Sequence, residues 1–246
     1  MNKGRKIIKT AILSLVILTA VIGIAGYTYL SSTGYAADAA ALAAMKAEGA
    51  VSIYRPEQDV LVFMPEEPEA GLIFYPGGRV DHTAYAPLLR ALAEEGIACV
   101  LLQMPFDLAV LDMDAAEKAR GTVAGIDAWY LGGHSLGGAM AASFAAEHSE
   151  DYDGLVLLAA YSTEDLKSSD LKVVSLYGSE DGVLDMENYA AYRSNLPADT
   201  VEGVLEGGNH AQFGSYGLQK GDGTADVTAQ EQIDWAVEII SGEILR

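Results

Sequence analysis

An α/β architecture, a mostly parallel sheet of about eight strands flanked by helices, is what the sequence predicts, and three observations predict it. Short apolar runs bounded by turn residues recur from Val51 onward. Helical stretches carrying a single apolar stripe alternate with them. Four of the runs from Leu72 on are apolar almost without a break, as strands covered on both faces require.

The elements follow in chain order. Residues 1–9 form a basic stub with Lys3, Arg5, Lys6 and Lys9 and no acid. Residues 10–30 carry no charge, and as a helix these 21 residues would rise about 31 Å, a match to the hydrocarbon core of a bilayer. The expectation is a transmembrane helix with the lipid bilayer as partner, a cytoplasmic N-terminus and an extracytoplasmic domain. Gly34-Tyr35-Ala36 offers a small-x-small site, so secretion after signal cleavage is the alternative. Residues 31–50, rich in Ala, are expected to form a short helical spacer before a domain over 51–246.

Within the domain, strands are expected at 51–54 and 60–64, a directly joined antiparallel pair. Further strands are expected at 72–75, 98–103, 129–131, 155–159, 173–177 and 201–205. Tyr85, Leu88, Leu89, Leu92 and Ala93 make one stripe of a surface helix, and Ile233, Ala236, Val237, Ile240 and Ile244 make that of the closing helix. About 200 residues suffice for one core and leave little room for a large inserted lid.

Composition excludes several classes. The net charge of −20 argues against a nucleic-acid partner, which needs a basic surface. Beyond the stub, eleven basic residues face 35 acidic ones, a surplus of 24 negative charges. The single cysteine, Cys99, allows neither an internal disulfide nor a CxxC site, and its apolar surroundings mark it as a buried small hydrophobe. Asp222-x-Thr224-x-Asp226 lacks the other ligands of a calcium loop, so no metal is assigned and no cofactor is expected.

The chemistry is carried by Gly133-His134-Ser135-Leu136-Gly137. An apolar strand precedes this G-x-S-x-G and a helix rich in small residues follows, the strand–turn–helix context of a nucleophile elbow. Ser135 is therefore the candidate nucleophile, and a hydroxyl nucleophile needs a base that is itself oriented by an acid. Of four histidines, His134 lies inside the elbow and points away from its neighbour, His148 lies near the end of the elbow helix, and His82 precedes a helix. His210 follows the last strand on the Gly-rich loop Glu206-Gly207-Gly208-Asn209, which is where a base is expected. The acid is sought after strand 173–177 in Gly178-Ser179-Glu180-Asp181-Gly182, with Asp181 favoured and Glu180 its competitor. Phe106, Tyr161 and Phe213 follow strand ends and could line an acyl pocket, or pack under loops, and Arg79 is a further candidate for the pocket lining.

Ser135, Asp181 and His210, in that order after successive strands, resemble an α/β-hydrolase over about 51–246. The likeness is to the small lidless branch that includes dienelactone-hydrolase-like proteins, through Gly178-Ser179-Glu180-Asp181-Gly182-Val183 and Gly208-Asn209-His210. It implies an oxyanion hole made by the amide of Leu136 and one from Tyr75-Pro76-Gly77-Gly78-Arg79, Gly78 being the candidate and Arg79 its neighbour. Pro76 stands where many relatives have histidine, and a serine replaces the cysteine of true dienelactone hydrolases, so their substrate is not carried over. The implied activity is hydrolysis of a small ester through an acyl-enzyme, with no cofactor. A peptidase or acyltransferase on the same residues, or an inactive binding protein, are the alternatives.

Overall fold

The structure, a computed structural model, describes residues 3–32, 34–46 and 49–246, and the side chains among them at 12–28, 34–46 and 49–246. Two compact units divide the chain, Met1–Gly34 and Tyr35–Arg246. The first is helix α1 (Lys3–Ser32), whose apolar residues such as Leu13, Ile17 and Ile24 are exposed. Its described side chains, 12–28, cover a rise of about 26 Å at 1.5 Å per residue. Among the described residues no helix is long and apolar enough to cross a membrane, so the transmembrane span expected at 10–30 is not found there. The side chains of the basic stub and the ends of that expected span lie outside the described residues.

The second unit begins earlier than the sequence indicates. The expected spacer contributes the short helix α2 (Ala39–Ala44), capped by Asp38, whose carboxylate accepts from the amides of Ala40 and Ala41. Tyr35 pairs with Val80, and Ala41 is fully buried. This stretch is part of the domain.

Eight strands follow: β1 (Ser52–Glu57), β2 (Val60–Met64), β3 (Ala70–Tyr75), β4 (Ile97–Leu102), β5 (Trp129–His134), β6 (Gly154–Leu158), β7 (Lys172–Gly178) and β8 (Val201–Leu205). The helices between and after them are α3 (Ala86–Glu94), α4 (Ala115–Arg120), α5 (Leu136–Glu147), α6 (Met186–Tyr192) and α7 (Ala229–Ile244). One sheet holds all eight strands in the order β1-β2-β4-β3-β5-β6-β7-β8. Strand β2 runs antiparallel to both β1 and β4, and every ladder from β4 to β8 is parallel.

Alternation along the central strands divides the core. Leu72 and Phe74 of β3 join Leu88, Leu89 and Leu92 of α3 and Ile233, Ala236 and Ile240 of α7 on one face. Ile73 and Tyr75 join Ala116 and Ala119 of α4 and Ala141, Ala142 and Ala145 of α5 on the other. Cys99 lies inside the first of these clusters, where burial pushes its thiol pKa up. The edges read differently. Strand β8, the edge strand, alternates half-buried and exposed residues: Gly203 faces Leu176 and Trp235 of α7, while Val204 on the other face is 49% exposed.

Two-faced burial of β3 sets an expectation for denaturation in urea. Leu72→Ala and Ile73→Ala should each cost about 2–5 kcal/mol, since each opens a cavity on a different face. Val204→Ala on the exposed edge should stay within about 0.5 kcal/mol. If either central substitution were as mild as the edge one, the sheet would not be covered on both sides.

Candidate active site

Parallel strands end on one edge of the sheet, and the loops leaving β3, β5, β7 and β8 meet there. Between β5 and α5, Ser135 takes φ 53° and ψ −124°, a left-handed conformation costing on the order of 1–3 kcal/mol for a residue with a side chain. Its amide donates to the Leu158 carbonyl at 2.9 Å, and its carbonyl accepts from Ala139 at 3.1 Å, so both sides of the turn are fastened. Helix α5 passes so close to the end of β3 that a Cβ on Gly137 would lie 2.3 Å from the carbonyl oxygens of both Tyr75 and Pro76. Only glycine fits.

His210 and Asp181 are brought together. The Nδ1 of His210 lies 2.8 Å from Oδ2 of Asp181, and both side chains are 1% exposed. The second oxygen of Asp181 accepts from the amides of Val183 and Leu184 at 2.9 and 2.7 Å. A carboxylate only accepts, so the neutral imidazole carries its proton on Nδ1 and its lone pair on Nε2. That Nε2 is the one buried side-chain nitrogen or oxygen among the described residues without a hydrogen bond. It lies beside a cavity of about 270 Å³ lined by Ser135, His210, Leu136, Ala160, Tyr161 and Leu184 among others. Glu180, the competing acid, is exposed, and its Oε1 accepts from its neighbour Ser179.

The loop after β3 sorts its own amides. Gly77 donates to the Tyr85 hydroxyl at 3.0 Å and Arg79 to the Asp107 carbonyl at 2.6 Å. Gly78 lies between them, packed so closely on Leu136 that a Cβ there would meet Leu136 Cδ2 at 2.9 Å. Of the aromatic candidates, Tyr161 lines the Ser135 cavity. Phe213 does not: it is fully buried, with its ring 5.9 Å from that of His134. Phe106 is 43% exposed and lines a separate cavity with Gln103 and Met104. Both fall on 3-10 turns after their strands, and those turns carry one ring into the core and the other outward.

Two groups beneath the site escape a search for reactive residues. His134, the last residue of β5, is buried with its ring 5.9 Å from that of Phe213. Its Nε2 lies 3.0 Å from the His210 carbonyl and its Nδ1 2.8 Å from the Tyr85 hydroxyl. The carbonyl can only accept, so Nε2 carries the proton, the Tyr85 hydroxyl donates to Nδ1, and the Gly77 amide donates to that hydroxyl. Gln232 of α7 is fully buried, and its amide group accepts from Asn209 N at 3.0 Å and donates to Asn209 O at 2.7 Å. A glutamine four residues before Ala236, on the stripe that faces the core, is the sequence signal for it.

A family model described as the Alpha/beta hydrolase family matches residues 71–234. No curated protein matches the sequence. Among solved structures, a protein described as a predicted CIB-like hydrolase from Thermoplasma acidophilum is 14% identical with a TM-score of 0.55, over 78% of this chain and 97% of that one. Est1E from Butyrivibrio proteoclasticus is also 14% identical with a TM-score of 0.55, over 80% and 100% of the two chains. TT1662 from Thermus thermophilus is 18% identical with a TM-score of 0.54, over 76% and 98%. At these identities the likeness is one of fold.

The buried histidines make stability depend on pH. Burial holds His134 well below the ordinary 6.5, helped by the neighbouring His210. Burial likewise holds His82 down at about 4, against the opposing pull of Asp81 and with the added push of Arg55, which donates to its Nε2. Unfolded histidines take up protons below about pH 6.5 while these two stay neutral, so their contribution is full above that pH and is lost as pH falls from it towards the folded values. Each histidine should steepen the fall of unfolding free energy by up to about 1.4 kcal/mol per pH unit. Urea titrations between pH 7 and 4.5 should show a flatter fall for His82→Gln than for the wild type; equal slopes would count against the assignment.

Proposed function

The chain belongs to the α/β hydrolase family, and from that premise we propose that it is a serine hydrolase acting on a carboxylic ester through an acyl-enzyme on Ser135. One observation carries the reading: a buried imidazole, bonded through Nδ1 to Asp181, leaves Nε2 without a partner beside the cavity that Ser135 also lines. A lone pair kept from water in that position is what a general base needs.

His210 Nε2 takes the Ser135 proton as Oγ attacks the ester carbonyl, and the carbonyl oxygen becomes an oxyanion. The amides of Leu136, in the first turn of α5, and Gly78 donate to it. Gly78 is favoured over its neighbours because the amides of Gly77 and Arg79 are already engaged. Each such donor is worth about 10²–10³ in rate. His210 then gives its proton to the leaving alcohol and the acyl-enzyme forms. Water enters, loses a proton to His210, attacks the acyl carbon, and the proton returns to Ser135 as the acid leaves. Asp181 holds the ring and stabilises the imidazolium. The cavity walls Ala139, Ala159, Ala160, Val183 and Leu184 are small or apolar, which favours a short uncharged acyl group.

We also propose that residues 10–30 anchor the domain to a membrane, basic end inside and the domain outside. The support is the basic stub followed by an uncharged run, and the Thr19 and Thr28 hydroxyls, which bond back to helix carbonyls. Cleavage after Ala36 would remove Tyr35, whose amide donates to Arg79 O at 2.7 Å and whose carbonyl accepts from Asp81 at 2.9 Å.

The full-length chain should hydrolyse p-nitrophenyl acetate and take up a fluorophosphonate probe. Ser135→Ala should abolish labelling, and kcat should fall by at least about 10⁴-fold in Ser135→Ala and His210→Ala. Equal labelling of wild type and Ser135→Ala would remove this serine from the chemistry. For the anchor, the intact chain should stay in the membrane pellet after alkaline extraction, whereas a mature N-terminus near Ala37 would overturn it.

A further inference from the structure

The histidine loop is held from a side that the mechanism does not use. We propose that Asp222 is a positioning residue for His210, its carboxylate fastening the histidine loop to the acid loop so that the imidazole keeps its place at the cavity that Ser135 also lines. The inference rests on the serine hydrolase reading above.

One carboxylate collects backbone amides from three loops. Its Oδ2 accepts from Ala211 N at 2.9 Å. Its Oδ1 accepts from His210 N at 3.1 Å, from Gly182 N at 3.2 Å and from Gly223 N of its own loop at 2.9 Å. His210 and Ala211 are thus gripped as a fork, one amide to each oxygen. Gly182 directly follows Asp181. The same side chain therefore fixes the backbone on both sides of the Asp181–His210 hydrogen bond. Bonds from amides to an ionised carboxylate are about twice as strong as neutral ones, and their loss frees two loops at once.

The surroundings are built for this approach. A Cβ on Gly223 would lie 2.0 Å from the Glu180 carbonyl oxygen, and one on Gly182 would lie 2.5 Å from that of Gly221. The 221–223 turn therefore sits directly against the acid loop. Asn209 Nδ2 donates to the Gly223 carbonyl at 3.0 Å, a second tie between this turn and the histidine loop. With three amides on Oδ1, the carboxylate has an occupation other than the calcium ligation its Asp-x-Thr-x-Asp setting faintly suggests.

The test compares Asp222→Ala and Asp222→Asn with the wild type as full-length chains on p-nitrophenyl acetate. A displacement of about 1 Å at a catalytic group costs about 10²-fold, so Asp222→Ala should lose about that in kcat with KM nearly unchanged. Asparagine keeps one oxygen for the Oδ1 partners but turns an NH₂ towards Ala211, so Asp222→Asn should recover part of the loss. Independently of turnover, the low-field proton resonance of His210 Nδ1–H should persist in Ser135→Ala and broaden or vanish in Asp222→Ala. An unchanged resonance, an unchanged kcat, or a loss confined to KM would overturn the proposal. If Asp222→Ala fails to fold, Asp222→Asn decides on the same criteria. A wild type inert towards esters with a resonance that still depends on Asp222 would sink the serine hydrolase reading and leave the clamp standing.

Discussion

A hydrogen bond between a carboxylate and an imidazole, each almost wholly removed from water, is the interaction the rest of the candidate site depends on. Burying such a pair is costly unless every remaining lone pair finds a donor. Asp181 meets that condition through the amides of Val183 and Leu184, so the acid loop must curl back on itself at once after Gly178. His210 meets it on Nδ1 only. The sheet order turns this into a problem of reach. Strand β8 is three places from β5, about 14 Å at the usual spacing between strands. Four residues separate Leu205, the end of β8, from His210, and the Cα-to-Cα steps between the two would span about 17 Å if fully extended. The loop turns at once, the Gly208 amide donating to the Leu205 carbonyl at 3.1 Å, and crosses the end of β7 so closely that a Cβ on Gly178 would lie 2.1 Å from the Gly208 carbonyl carbon. A loop under that demand needs anchors, and Gln232 supplies one by pairing with the Asn209 backbone as a neighbouring strand would.

The elbow places the opposite demand on β5. The turn at Ser135 leaves His134, the last residue of β5, buried in the core beneath. The protein accepts a buried histidine there and satisfies both ring nitrogens, one through Tyr85 and one through the His210 carbonyl. Tyr85 also receives the Gly77 amide, which joins the loop after β3 to the histidine loop through a continuous line of hydrogen bonds. Burial keeps the His134 ring neutral, which is the state in which this donor–acceptor order works.

Much of the sheet is legible because its central strands are apolar on both sides, a pattern that needs no knowledge of partners. The edges are less so. Residues 201–205 have the composition of a strand, but their half-exposed alternation reflects that α7 covers one face of this edge strand, at Gly203. The same limit governs the site. Glu180 and Asp181 are adjacent and chemically alike, and the tight turn after Gly178 decides which of them faces His210. Gly78 is preferred to Arg79 in the sequence only through the resemblance, because what separates Gly77, Gly78 and Arg79 is which amides Tyr85 and Asp107 already occupy. Phe106 and Phe213 follow strand ends equally well, yet short 3-10 turns after those ends carry one outward and the other into the core. Contacts between loops distant in sequence leave no local pattern, whereas Gln232 leaves one because a polar residue interrupts an apolar stripe.

Charge places the last constraint on the proposed chemistry. The chain beyond its basic stub carries a large negative surplus, and the cavity beside Ser135 has Asp185 in its wall and no lysine or arginine. An anionic substrate would meet repulsion from both. A transition-state oxyanion would also find no cationic side chain there, so in the proposed mechanism its stabilisation falls to neutral dipoles: the amide of Leu136 at the start of α5 and the amide of Gly78. Such dipoles are fixed by the fold and need no counterion. They work only while the close packing of Gly78 on Leu136 and of Gly137 on the end of β3 is kept. The strain at Ser135, the glycines around it and the acidic surface are thus parts of one arrangement, suited to a neutral acyl group whose charge develops only as it reacts.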